Sequence, residues 1–154
     1  MSATDATDRE IPVQEPDRLR FERYGAPADP MALRLATIRS HDQHNTPIHS
    51  PDDRYRGVSG GRRVVFMNEV DMRLRGIAVG ALVEIESVAK DGRRRLVRKF
   101  VARPYDVPSG SVAAYYPETN PLLPLGYRDP KSKSPAAKSI PVFVRAMATT
   151  VTPV

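Results

Sequence analysis

The 154-residue sequence predicts a mainly β protein whose strands close, or nearly close, into a barrel. Three observations lead there. Fifteen prolines and nine glycines break the chain often and leave little room for long helices. Between those breaks run six or so short apolar or alternating segments of strand character. One stretch alone, opened by Asn68 and closed by Gly76, carries the start and stop signals of a helix of about two turns. Closure would also remove the exposed edges that several arginine-rich strands would otherwise present.

The elements follow in chain order. Residues 1–30 mix both charge signs with alanine, threonine and proline and show no sustained apolar period, so a flexible N-terminal arm is expected, with the domain occupying residues 31–154. Met31 to Ile38 alternates, with Leu33, Leu35 and Thr37 on one side, as a half-buried strand requires. Arg62 to Met67 reads as a short strand running into the helix, where Asn68 caps, Glu69 and Asp71 suit the first turn, Arg73 and Arg75 the last, and Gly76 the left-handed stop. Ala81 to Val88 sets Val83 and Ile85 inward against Glu84 and Glu86 outward. Asp91-Gly92 is a hairpin turn, and the returning strand Arg93 to Ala102 is expected to put Leu96 and Phe100 on one face with Arg98. Ser111 to Tyr116 is a compact apolar strand, residues 117–135 a long proline-rich loop, and Ser139 to Ala146 a last strand with Ile140, Val142 and Val144 alternating.

Composition narrows the chemistry. A formal charge of +6, carried more by arginine than lysine, suits phosphates, carboxylates or an acidic partner. There is no cysteine, which excludes disulfides, Cys-ligated zinc or iron–sulfur clusters and a Cys nucleophile. No apolar run is long enough to span a bilayer, so a soluble, cytoplasmic chain is expected. Aromatic residues make up 6% of the chain without any Trp, which gives no stacking platform for single-stranded nucleic acid, and nucleic acid and membrane are not expected as partners.

The most informative segment is the unbroken polar run Arg39-Ser-His-Asp-Gln-His-Asn-Thr46, placed directly after the first strand. Irregular segments on a rigid scaffold are where binding residues concentrate, and this one suits a polar, anionic ligand. His41, His44 and His49 lack a carboxylate–histidine arrangement at a metal-binding spacing, so hydrogen bonding is the better assignment for them. Ser40, His41 and Asp42 are adjacent and cannot align as a catalytic triad. Asp52 and Asp53 read as solvated neighbours in a charged loop, and Arg93, Arg94 and Arg95 as a solvated or partner-facing basic hairpin. Gly57, Gly60 and Gly61 match neither phosphate-loop spacing. Asn120, between prolines after an apolar strand, either presents its amide to a heterocycle edge or ends a strand in an ordinary turn.

The ordered set Arg39 to Thr46, Asp53-Arg-Tyr-Arg-Gly57, Val65-Phe-Met-Asn68, Gly76-Ile-Ala-Val-Gly80 and Tyr116-Pro-Glu-Thr-Asn120 resembles the C-terminal cofactor-binding domain of molybdopterin oxidoreductases, specifically formate-dehydrogenase-like alpha subunits. The resemblance covers about Met31 to Ala146 and implies a six-stranded double-psi β-barrel that binds molybdopterin guanine dinucleotide, in the bis form with the metal held elsewhere. It implies cofactor contacts from Arg39, Ser40, His41, Gln43, Asn45, Thr46, Tyr116, Glu118, Asn120 and Lys138, with no catalytic residue, protein metal ligand or iron–sulfur cluster on this chain. His44, Pro47 and His49 depart from the family's usual pattern. On this comparison the chain is a non-catalytic, detached or separately encoded domain whose partner is the catalytic chain or domains of the oxidoreductase. The rival expectation is a cofactor-free β-barrel module that binds an acidic protein partner.

Overall fold

The computed structural model describes residues 29–45, 47–89, 91–129 and 131–148. The expected arm, apart from Asp29 and Pro30, lies outside the described residues, and so does Thr46. Six strands form a closed barrel: β1 Leu33–Ile38, β2 Val64–Met67, β3 Leu82–Val88, β4 Arg94–Pro104, β5 Ser111–Tyr115 and β6 Ile140–Ala146. One helix, α1 Glu69–Leu74, follows β2, and short 3-10 turns occupy Arg54–Arg56 and Asn120–Leu122. Among the described residues no helix is long and apolar enough to cross a membrane.

Around the barrel the order is β1-β5-β2-β4-β3-β6. The pairs β1·β5 and β2·β4 are parallel, and β2·β5, β3·β4, β3·β6 and β1·β6 are antiparallel. Exchanging β1, β2 and β3 for β4, β5 and β6 maps this pairing pattern onto itself. The two halves interlock through the parallel pairs on either side of β2·β5, which makes the barrel a double-psi barrel. One consequence positions the site. Ile38, the last residue of β1, lies beside Tyr115, the last residue of β5, so the loops that follow both strands leave the barrel side by side.

Alternation fills the interior. Leu33, Leu35, Val65, Met67, Val83, Ile85, Phe100, Ala102, Val112, Ala114, Val142 and Val144 belong to one buried cluster. The all-buried β2 supplies two cores, because Val64 and Phe66 join Val58 and Tyr115 in a second cluster that the loop around Asp53 to Val58 completes. The helix forms as expected. The Asn68 side chain accepts the Val70 amide, while Gly76, at φ 62°, lets its own amide reach the Arg73 carbonyl and the Ile77 amide reach that of Met72. Met72 and Ile77 are both buried, as the apolar contact of this helix stop requires.

Two expectations about the strands are corrected. Phe100 is buried but Leu96 is 39% exposed, and Val97 takes the interior place. The cause is a bulge: Val83 to Ile85 on β3 spans Phe100 to Val97 on β4, with Lys99 at φ 60°, so the inward face shifts by one residue. Glu86, expected to face solvent, is only 3% exposed because Arg94 and Arg145, the latter at 2.5 Å, close over its carboxylate.

That arrangement sets an acid dependence. The Arg94 hydrogen bonds, against the opposing effect of burial and together with Arg145, hold the Glu86 carboxyl down at about 2 from a usual 4.5. A depressed acid contributes stability that is complete above its unfolded value and is lost as pH falls toward the folded one. Between pH 4.5 and about 2 the chain should therefore lose on the order of 1–3 kcal/mol from this group, discounted because both arginines reach solvent. In Glu86→Gln the unfolding free energy, followed by denaturant titration at each pH, should show a correspondingly shallower acid limb.

Candidate functional site

The site is built from the two loops that leave the joined ends of β1 and β5. The Tyr116 amide donates to the Ile38 carbonyl at 3.1 Å, which fixes the second loop to the end of the first strand. The Tyr116 hydroxyl donates to the Asn45 carbonyl at 2.8 Å, and the Arg39 guanidinium lies 5.7 Å from the Tyr116 ring centre. Asn45 sits at φ 49°, a conformation that asparagine tolerates better than most residues. The polar run closes on itself as well: the His44 amide bonds Pro47, the His49 amide bonds Asp42, and Gln43 pairs with Ile48.

Beneath both loops lies Arg62, at 5% exposure. Its Nε donates to Glu118 Oε1 at 2.9 Å, and one terminal nitrogen donates to Gln43 Oε1 at 2.8 Å, to the Tyr116 carbonyl at 2.5 Å and to Glu118 Oε2 at 3.3 Å. The other terminal nitrogen donates to Ser40 Oγ. Its guanidinium also stands 5.0 Å from the Tyr115 ring centre. Gln43 completes the network by donating to the Tyr116 carbonyl at 3.2 Å and the Asn45 carbonyl at 3.3 Å.

A second buried group braces the first loop from its other side. Asp53 was expected to be solvated, yet it is fully buried. It belongs to the loop over the second core, where its backbone pairs with Val58 and brings the carboxylate under Tyr115. Asp53 Oδ2 accepts the Tyr115 hydroxyl at 2.9 Å and Arg56 at 2.5 Å, and Arg56 also donates to the Arg39 carbonyl at 3.3 Å. Burial alone would raise the Asp53 carboxyl; the Tyr115 hydroxyl and the Arg56 cation outweigh it and hold the group below its usual value. Burial, reinforced by the Asp53 carboxylate, pushes the Tyr115 phenol well up. Both groups therefore keep their charge states across neutral pH.

The expected site residues do not gather in a single cluster. Ser40, Gln43, Glu118 and the backbone of Tyr116 meet at Arg62, and Lys138 donates to the Thr37 carbonyl near the end of β1. Arg39, Asn45 and Asn120 keep side chains with no hydrogen-bond partner among the described residues, and all three are exposed. His41 stacks on Tyr55 at 4.0 Å, whereas His44 meets His49 edge-on at 5.7 Å, so the histidines divide between separate contacts. Among the described residues no three acidic or histidine side chains gather in a metal-binding group. Arg62, Asp53, Arg56 and Tyr115 are absent from the sequence-derived site. The available signal was the pair Arg62-Arg63 ahead of a wholly apolar strand, which does not say which of the two turns inward.

Residues 33–141 match the family model described as the Molydopterin dinucleotide binding domain. An uncharacterized oxidoreductase of Mycobacterium tuberculosis is 48% identical over 118 residues, covering 74% of this chain and 15% of that protein. Protein YdeP of Escherichia coli is 42% identical over 112 residues, covering 71% of this chain and 15% of that protein. The chain thus spans about 15% of the length of the curated relatives it matches. Among solved structures, acetylene hydratase from Pelobacter acetylenicus shares the fold, with a TM-score of 0.54 at 15% identity over 82% of this chain and 19% of that one. With the matched span running from β1 into β6 of a closed double-psi barrel, the chain belongs to the molybdopterin dinucleotide-binding domain family.

Proposed function

We propose that this chain holds the guanine dinucleotide end of a molybdopterin cofactor for a molybdenum-dependent, formate-dehydrogenase-like oxidoreductase. The cofactor is taken in its bis form, and separate catalytic domains or a separate chain supply the metal's protein ligand. When bound, the cofactor supplies the redox chemistry, and this chain supplies affinity and orientation.

The observation that carries the reading is the set of unpartnered donors on the two adjoining loops. The Arg39 guanidinium offers a cation with a planar fork suited to a pyrophosphate oxygen pair. The Asn45 and Asn120 amides each carry a donor and an acceptor, as the edge of guanine does. This chemistry fits a nucleotide diphosphate. Lys138, near the end of β1, adds positive charge beside it. Ser40, Gln43, Glu118 and Tyr116 are assigned to holding the loops, His41 to the loop's outer face against Tyr55, and Thr46 remains a contact by resemblance.

The chain, produced in a host that makes the cofactor, should carry a pterin that fluoresces after oxidation and should release a guanine nucleotide on acid hydrolysis. A cytidine nucleotide would contradict the guanine assignment. Should the isolated chain be pterin-free, mixing it with an oxidoreductase that lacks this domain decides the partnership, since unchanged molybdenum content there favours the cofactor-free module.

A further inference from the structure

We propose that Arg62 is the positioning residue of the dinucleotide site, setting the β1 and β5 loops in their binding arrangement before a ligand arrives. This rests on the reading above and adds the device by which the site is preorganised. Arg62 enters from neither loop; it stands just ahead of β2, the strand that separates β5 from β4 in the barrel. From there it reaches Ser40 and Gln43 in one loop and Tyr116 and Glu118 in the other, across 19 to 56 residues of sequence. Irregular loops lose conformational freedom when a ligand fixes them, and a site already fixed spares the complex that cost.

The geometry separates positioning from direct contact. The Arg62 side chain is 4% exposed, Nε and both terminal nitrogens are engaged, and Glu118 neutralises its charge in an ion pair. It has no free face for a phosphate. The shape of the group matters as much as its charge, because a planar fork serves three directions at once while an ammonium is a single point on a flexible stem. Arg39 is the opposite case, exposed and without a hydrogen-bonding partner for its guanidinium among the described residues.

The experiment uses the whole 154-residue chain with GDP as the probe, titrated by calorimetry at several salt concentrations. Arg62→Lys keeps the charge and loses the fork, and should weaken GDP binding by about tenfold or more. Its dependence on salt should stay that of the wild type, since no cation facing the ligand is removed. Arg39→Gln should instead flatten the salt dependence. Glu118→Gln and Ser40→Ala, each removing one arm of the network, should weaken binding by about two- to fivefold. Arg62→Lys that binds GDP as tightly as the wild type overturns the inference, and one whose salt dependence flattens like that of Arg39→Gln overturns it in favour of direct contact. If Arg62→Lys loses its β-sheet circular dichroism, the decision passes to Glu118→Gln and Ser40→Ala in their folded state; unchanged affinity in both overturns the inference. A wild-type chain that does not bind GDP removes independent dinucleotide binding and this inference together, whereas equal binding by wild type and Arg62→Lys removes the inference alone.

Discussion

Replacing Asp53 by alanine is expected to destabilise the barrel by about 2–4 kcal/mol, because a buried phenol loses its acceptor and a half-buried guanidinium its counter-charge. That is a large share of the roughly 5–15 kcal/mol that holds a domain of this size folded. Asp53 and Tyr115 are both at 0% exposure, and Asp53 is the acceptor for the Tyr115 hydroxyl and for Arg56. Alanine leaves a buried phenol without its acceptor and a partly buried guanidinium without its counter-charge. The Asp53 backbone bonds to Val58 remain, so the damage should centre on the second core, where Tyr115 meets Phe66 at 5.7 Å. Urea unfolding followed by circular dichroism measures the loss. Tyr115→Phe should cost less, about 1–3 kcal/mol, because it removes one hydrogen bond and leaves the ion pair. The acid side follows in sign: since the folded Asp53 carboxyl is held below its ordinary 3.8, its contribution is present above that value and lost as pH falls beneath it.

Arg39→Gln is expected to weaken binding of the dinucleotide by about 1.5–3 kcal/mol, or roughly 10–150-fold, the worth of a hydrogen bond to a charged group. Stability should change by no more than about 1 kcal/mol, since the exposed side chain gives up only its approach to the Tyr116 ring. The backbone of Arg39 is a different matter. Its carbonyl is held by Arg56, and Arg56 by Asp53, so the loop keeps its path when the side chain changes. Calorimetry with GDP gives the affinity and thermal unfolding gives the stability. A change in both together would mean that the loop itself had moved.

The contrast between these two positions shows what sequence could carry. Strand β1, helix α1 and strand β6 were legible because their information is local: alternation in Leu33, Leu35 and Thr37, the Asn68 cap with the Gly76 stop, and Ile140, Val142 and Val144. The exposure of Arg39, Asn45 and Asn120 was legible for the same reason, since they are polar residues in the segments that follow strands. Burial of Asp53 and Arg62 was not, because their partners lie 62 residues away in Tyr115 and up to 56 residues away in Glu118, and only the interlocked topology brings them together. The Leu96 and Glu86 environments failed for two further reasons. A bulge at Lys99 changes the phase of β4 without any glycine to announce it, and a pair of arginines closes over an acid that periodicity alone places at the surface.

We propose the loops after β1 and β5 as the dinucleotide site. Backbone NMR of the isotope-labelled chain titrated with GDP tests it most directly. Amide shifts should concentrate in Arg39 to Asn45 and Tyr116 to Asn120, move with one dissociation constant, and leave the β3–β4 hairpin still. Shifts confined to that arginine-rich hairpin, or no saturable shift in either loop, would contradict it.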